Sequence, residues 1–191
     1  MYDRTRTINR ADAVLVVVDI QERLAAAMPH KDDVIETATF LVRACDAMGV
    51  PVIVTRQYVA GLGDTVSELA DVLGNREPID KLTFSCMGTP EFREAISKPG
   101  RRQVLLAGME THVCVSQTAL DLMGAGYEVS VLADGVCSRR SHDHEIAVRR
   151  LATVGASVTV AESVIYEMLG VAGTPEFKQV LELVKARPVC R

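Results

Sequence analysis

Three residue types set out in order along the chain could do chemistry: Asp19, Lys81 and Cys114. Cys114 lies in VLLAGMETHVCVSQTALDLM, residues 104–123. Val104, Leu105, Leu106 and Ala107 read as a buried strand that Gly108 ends. From Val115 onward, Ala119, Leu122 and Met123 recur at helical spacing until Gly124. The thiol is thereby placed in the first turn of a helix leaving the carboxyl end of a strand. Free N–H groups and a partial positive charge there stabilise a thiolate, and the carboxyl edge of an open parallel sheet is where such folds bind ligands. A buried helix cysteine satisfies the same pattern, because free Cys is among the most buried residue types. Asp19 ends the apolar run Ala13–Val18 and fits either a catalytic carboxylate at the same edge or a capping residue. Lys81, taken by itself, reads as a solvated surface lysine.

The elements that would carry these residues follow from the hydrophobic pattern. The run Ala13–Val18 is continuous, as in a strand buried on both faces. Val34, Ala38, Leu41, Val42, Cys45 and Met48 mark an amphipathic helix that Gly49 stops. Residues 51–55 form a second buried strand, completing a right-handed βαβ unit and delivering Arg56, Gln57 and Tyr58 to the carboxyl edge. Gly61 and Gly63 follow, but neither a Walker pattern nor a dinucleotide fingerprint surrounds them. A short helix is expected between Asp64 and Gly74, and another from Thr89 as cap with Pro90 at its first position. Residues 127–133 read as a strand ending at Asp134-Gly135. Ser141 is placed to cap a helix with Ile146, Ala147, Leu151 and Val154 on one side. A last strand over 156–160 and helices over 163–169 and 175–186 complete the pattern. This alternation predicts an α/β fold: a three-layer sandwich with a mostly parallel six-stranded sheet and helices on both faces, a single domain over 1–191.

Composition narrows the function classes. A formal net charge of −4 makes no electrostatic case for nucleic acid or for an anionic membrane. No apolar run is long enough to span a bilayer, and the polar, mixed-charge start does not read as a secretory signal. Five scattered cysteines without a CxxC pair argue for a reducing, cytoplasmic setting and against a disulfide framework or a zinc site. Of these, Cys45 falls on an apolar helix stripe and Cys190 near the chain end, leaving Cys86 and Cys137 as rivals to Cys114. His142, Asp143 and His144 stand in the first turn of a helix, where residues two apart do not converge on one ion, so no metal is assigned to them.

Taken together, VLVVVDIQERL with Asp19, KLTFSC with Lys81 and AGMETHVCVSQTALDLMGAGYEVSVLADGVCSR with Cys114 resemble the isochorismatase-like (cysteine hydrolase) family over residues 13–187. The stretch TRQYVAGLGDTVSEL is similar to the compact isochorismatase-domain-containing subgroup. The resemblance implies a Rossmann-like hydrolase fold and a catalytic set of Asp19, Lys81 and Cys114. It implies an oxyanion hole from the backbone N–H groups of Glu110 and Cys114, arranged by a non-proline cis peptide at Met109–Glu110. It also implies a homo-oligomer, dimer or tetramer, in which the apolar residues of segment 166–171 pack on another subunit. Nicotinamidases of that family carry an Asp-His-His metal site; no histidine lies between His30 and His112 here, so neither a metal nor another cofactor is expected. Isochorismatases replace the cysteine by glycine, whereas Cys114 is present here. The expectation is a metal-independent cysteine hydrolase acting on a small amide or related C–N bond. Vinyl-ether hydrolysis and a non-catalytic interaction protein are the alternatives. Gln57, Tyr58, Phe84 and Met109 are the candidates for the substrate pocket.

Overall fold

A computed structural model describes residues 7–188. The chain lays down β1 (Ala13–Val18), α1 (Glu22–Ala26), α2 (Lys31–Met48), β2 (Val52–Gln57), α3 (Val59–Leu62), α4 (Ser67–Leu73), β3 (Ile79–Lys81) and α5 (Pro90–Ser97). It continues with β4 (Gln103–Met109), a π-type turn Thr111–Val115, α6 (Ser116–Gly124), β5 (Glu128–Cys137), α7 (Ser141–Val154), β6 (Ser157–Thr159), α8 (Ala161–Leu169) and α9 (Pro175–Ala186). The six strands form one parallel sheet in the order β3-β2-β1-β4-β5-β6. The sheet is parallel throughout, and helices cover both of its faces.

Alternation along each strand sends successive side chains into two separate cores. On one face Leu15, Val17, Leu105 and Ala107 meet Val34 and Leu41 of α2, Leu69 of α4 and Ile165 of α8. On the other, Val14, Val16, Val104 and Leu106 meet Phe92 of α5, Val115, Ala119 and Leu122 beside α6, and Leu151 of α7. Every residue of β1 is fully buried, which is why its sequence shows no polar alternation. Gly49 ends α2 in the left-handed region (φ 67°), and Val50 N–H returns to the Cys45 carbonyl at 2.8 Å while Gly49 N–H meets the Asp46 carbonyl, closing the helix with a Schellman motif.

Two strand ends differ from the sequence reading. Gly108 does not end β4; it sits within the strand and pairs with Val18 of β1. Its φ of +131° and its closeness to the Val18 carbonyl, which a Cβ would strike, explain why the position is glycine. Likewise β5 does not stop at Asp134-Gly135 but runs to Cys137 past a register shift against β4. The bulge absorbs the dipeptide that reads as a turn, and Asp134 instead accepts the Ala161 N–H at 2.8 Å. Thr89 takes the N-cap position ahead of Pro90 but makes no side-chain cap bond, and Ser141 does not cap. The Thr89 hydroxyl pairs with Thr83 Oγ1, and Ser141 is already inside α7. In segment 166–171 Met168 is buried in the core, while Tyr166 and Val171 are exposed. Among the described residues, no helix is long and apolar enough to cross a membrane.

Candidate active site

The strand order reverses between β1 and β4, so the ends of these two strands border the crevice at which open α/β sheets bind ligands. β1 is followed by Asp19, a non-glycine residue at φ 54° whose backbone N–H is held by the Thr55 carbonyl at 3.2 Å. β4 ends in Met109, followed by the cis peptide Met109–Glu110 and then by the turn Thr111–Val115 that holds Cys114. The Glu110 carbonyl accepts the N–H groups of Val113 and Val115, and Ser116 Oγ donates to the Thr111 carbonyl at 2.6 Å, so the turn is tied at both ends.

Asp19, Lys81 and Cys114 are brought together. The Lys81 ammonium lies 2.6 Å from Asp19 Oδ2, with both side chains fully buried. Its other protons face Gln57 Oε1 at 2.7 Å and the carbonyls of Phe84 and Thr83 at 3.1 and 3.3 Å. Lys81 is therefore not the solvated lysine its local sequence suggests. It is a buried cation surrounded by acceptors, as burial of a charge requires. Thr55 Oγ1 donates to Asp19 Oδ1 at 2.8 Å, and the Cys114 thiol is close enough to the same carboxylate for the two to act on each other's protonation. A group that accepts from an ammonium on one oxygen and a hydroxyl on the other has the bonding pattern of an ionised carboxylate. Asp19 is completely buried, and Cys114 is 5% exposed.

The electrostatics of this cluster differ from the sequence expectation. Burial pushes the Asp19 carboxyl above its ordinary value, against the Lys81 charge and the three hydrogen bonds that pull it down. Cys114 is also pushed up, first by burial and then by the negative charge of Asp19, with Lys81 opposing. A thiolate lowered by a helix N-terminus is not what the fold builds. It builds a thiol beside a carboxylate whose affinity for protons is raised. Burial also pushes up Cys45 and Cys137, each to about 12, and Cys86 to about 11 with Asp19 adding to it. Cys137 stands apart from the cluster, at a cavity of about 700 Å³ between the first turns of α2 and α7. Cys86 is adjacent, 3.8 Å from Thr55 Oγ1. Cys190 lies outside the described residues.

The pocket candidates divide. Gln57 is buried and locks Lys81, its amide bridging the ammonium and the Leu82 carbonyl at 2.9 Å. Tyr58 and Phe84 are each 55% exposed on the loops after β2 and β3, with their backbones tied to Lys81. Met109 is fully buried in the α2-side core, opposite the core that holds Cys114. The Glu110 side chain turns to Arg139, which reaches its two oxygens at 3.1 Å, so only the Glu110 backbone is left toward the cysteine. Thr55 and Gln21 were not singled out from sequence. Gln21 joins β1 to β2 by accepting the Gln57 N–H at 2.7 Å and donating to the Gln57 and Gly63 carbonyls. Polar residues closing buried strands at the carboxyl edge were the available signal. Among the described residues, no group of three or more His, Cys, Asp or Glu side chains is arranged to hold a metal ion.

This fold agrees with what comparison finds. The isochorismatase domain matches residues 13–163, and the chain belongs to the isochorismatase family. Isochorismatase domain-containing protein 1 of Salmo salar is 41% identical over 177 residues, 92% of this chain, and the chain spans 62% of that longer protein. The secreted isochorismatase effector Isc1 of Phytophthora sojae is 40% identical over 91% of this chain and 84% of its own length. Among solved structures, the MAR1 ribonuclease of Caenorhabditis elegans superposes with a TM-score of 0.89 at 34% identity, covering 97% of this chain and 100% of that one.

Proposed function

We propose that the protein is a metal-independent cysteine hydrolase that cleaves a small amide or related C–N bond through an acyl-enzyme on Cys114. The observation that carries this reading is the convergence of Cys114 on Asp19, a buried carboxylate that the Lys81 ammonium at 2.6 Å and the Thr55 hydroxyl at 2.8 Å hold in place. Asp19 takes the thiol proton as Cys114 Sγ attacks the carbonyl carbon. The backbone N–H groups of Glu110 and Cys114 receive the oxyanion. Collapse breaks the C–N bond, and the proton on Asp19 passes to the departing nitrogen. A water then attacks the thioester, giving its proton to Asp19, and the acid leaves as the thiol reforms. A base with a raised proton affinity suits this shuttle, because its efficiency is greatest near the operating pH. Lys81 has its protons committed to protein acceptors, so its part is to hold the charge on Asp19 and not to touch substrate.

The free thiols of Cys45, Cys86, Cys114 and Cys137 support a reducing, cytoplasmic setting. The ribonuclease activity named for the C. elegans relative has weaker support here. The net charge is −4, and the arginines nearest the strand ends are paired: Arg56 with Asp64 and Asp80, Arg139 with Glu110. The test is a steady-state panel of small amides, ureides, isochorismate and RNA, run on the wild type and on Cys114→Ala. The expected result is turnover of a C–N substrate that Cys114→Ala abolishes. Isochorismate cleavage indifferent to Cys114, cleavage of RNA alone, or no turnover on any substrate would overturn the reading.

A further inference from the structure

The base of this site is held from behind. Asp19 Oδ2 is occupied by Lys81, and Oδ1 receives the single hydroxyl proton of Thr55 at 2.8 Å. With that proton committed, only lone pairs of Thr55 Oγ1 remain, and Cys86 Sγ lies 3.8 Å away in position to donate its S–H to them. The Cys86 N–H is in turn fixed by Thr118 Oγ1 at 3.0 Å. Thr118 stands one helical turn beyond Cys114 on the helix that carries the nucleophile. The contacts therefore close a ring: Cys114 to Asp19, Asp19 to Thr55, Thr55 to Cys86, Cys86 to Thr118, and back along the helix to Cys114. Asp19, Thr55, Cys86 and Thr118 are all fully buried, so water cannot substitute for a lost partner and each hydroxyl has one satisfied orientation. Thr55 also holds the Asp19 backbone, its carbonyl accepting the Asp19 N–H.

We infer that Thr55 is a positioning residue. Its hydroxyl, oriented by Cys86, holds the Asp19 carboxylate in the orientation that meets the Cys114 thiol and limits how readily that carboxylate takes the thiol proton. This rests on the reading of Cys114 as nucleophile and Asp19 as its base. The titratable groups facing Asp19 are Lys81 from β3, Cys114 from the turn after β4 and Cys86 from the turn ahead of α5. None of them can replace the hydroxyl on Oδ1, because Lys81 already serves Oδ2 and the two thiols are weak donors.

Cys114 becomes a thiolate by passing its proton to Asp19, so the thiolate share above the carboxyl's titration depends on the gap between the two proton affinities. Removing a donor from ionised Asp19 raises its proton affinity and narrows that gap. Thr55→Val keeps the shape and deletes the hydroxyl. It should raise the plateau rate of Cys114 alkylation by iodoacetamide about tenfold and move the acid half-point of the profile up by about one pH unit. Peptide mapping by mass spectrometry across pH reads both. Thr55→Ser, which keeps the donor, should restore the wild-type profile. A fold merely loosened by the substitution would speed labelling of every buried thiol without moving the half-point. A Thr55→Val profile that superimposes on the wild type, or a Thr55→Ser profile that follows Thr55→Val, overturns the inference. Should Thr55→Val not fold, the wild type supplies the test by NMR. The Thr55 hydroxyl proton should be protected from exchange and shift as the Asp19–Cys114 pair titrates; a hydroxyl in fast exchange with water overturns the inference. If wild-type Cys114 is never alkylated, the nucleophile reading fails, and the NMR arm decides the role of Thr55 by itself.

Discussion

Replacing Lys81 by Met removes the cation paired with Asp19 while keeping much of the side-chain volume. The ammonium lies 2.6 Å from the carboxylate, and neither side chain is exposed, so no water can take its place. Breaking a buried pair by deleting one member costs about 3–5 kcal/mol, because a charge is left uncompensated. Lys81 also provides the largest of the influences that oppose the effect of burial on Asp19, so the carboxyl will move further up when it is gone. A carboxyl raised in the folded state keeps a proton that the unfolded chain releases above about pH 4. Stability then falls as pH rises from there to the folded value, and levels off beyond it. The variant's deficit should therefore be near the full amount at pH 7–8 and shrink toward pH 4, as Asp19 comes to be protonated in both states. Urea unfolding followed by circular dichroism between pH 4 and 8 measures this directly. A deficit below about 1 kcal/mol at pH 7, or one that does not change with pH, would refute the picture of a buried ion pair. A cycle with Asp19→Asn adds a second check. The pair should couple well beyond the roughly 0.5 kcal/mol scatter of independent sites, and additivity would refute contact between them.

Two further outcomes follow from other features. Turnover that depends on Cys114 should survive exhaustive dialysis against EDTA; activity lost to the chelator and recovered with Zn²⁺ would show that a metal is needed after all. Gly108→Ala places a methyl against the Val18 carbonyl at a φ of +131°, and should cost about 3 kcal/mol or more in urea unfolding. A near-neutral result would mean that β1 and β4 are not packed as tightly there as the register indicates.

The sequence by itself determined the layers of this protein. Continuous apolar runs made β1, β2 and β4 readable as doubly buried strands, and the three-to-four spacing from Val34 to Met48 made α2 readable down to its terminal glycine. These signals are local, because periodicity is imposed by backbone geometry over neighbouring residues. The order of Asp19, Lys81 and Cys114 was likewise visible, since each falls at or just beyond the end of a strand. What the chain order could not carry was anything set by distant approach or by burial. Gly108 reads as a strand breaker, and only the neighbouring strand shows it to be the residue that lets β1 come close. Gln57 reads as pocket wall and Met109 as its companion, yet one locks an ammonium and the other fills the opposite core. Lys81 reads as a surface lysine until 62 residues of separation are folded away and its charge meets Asp19. The protonation of Cys114 is the sharpest case. Its place beside a helix start argued for a lowered thiol, but desolvation and the Asp19 charge exist only in the tertiary structure, and together they push it up.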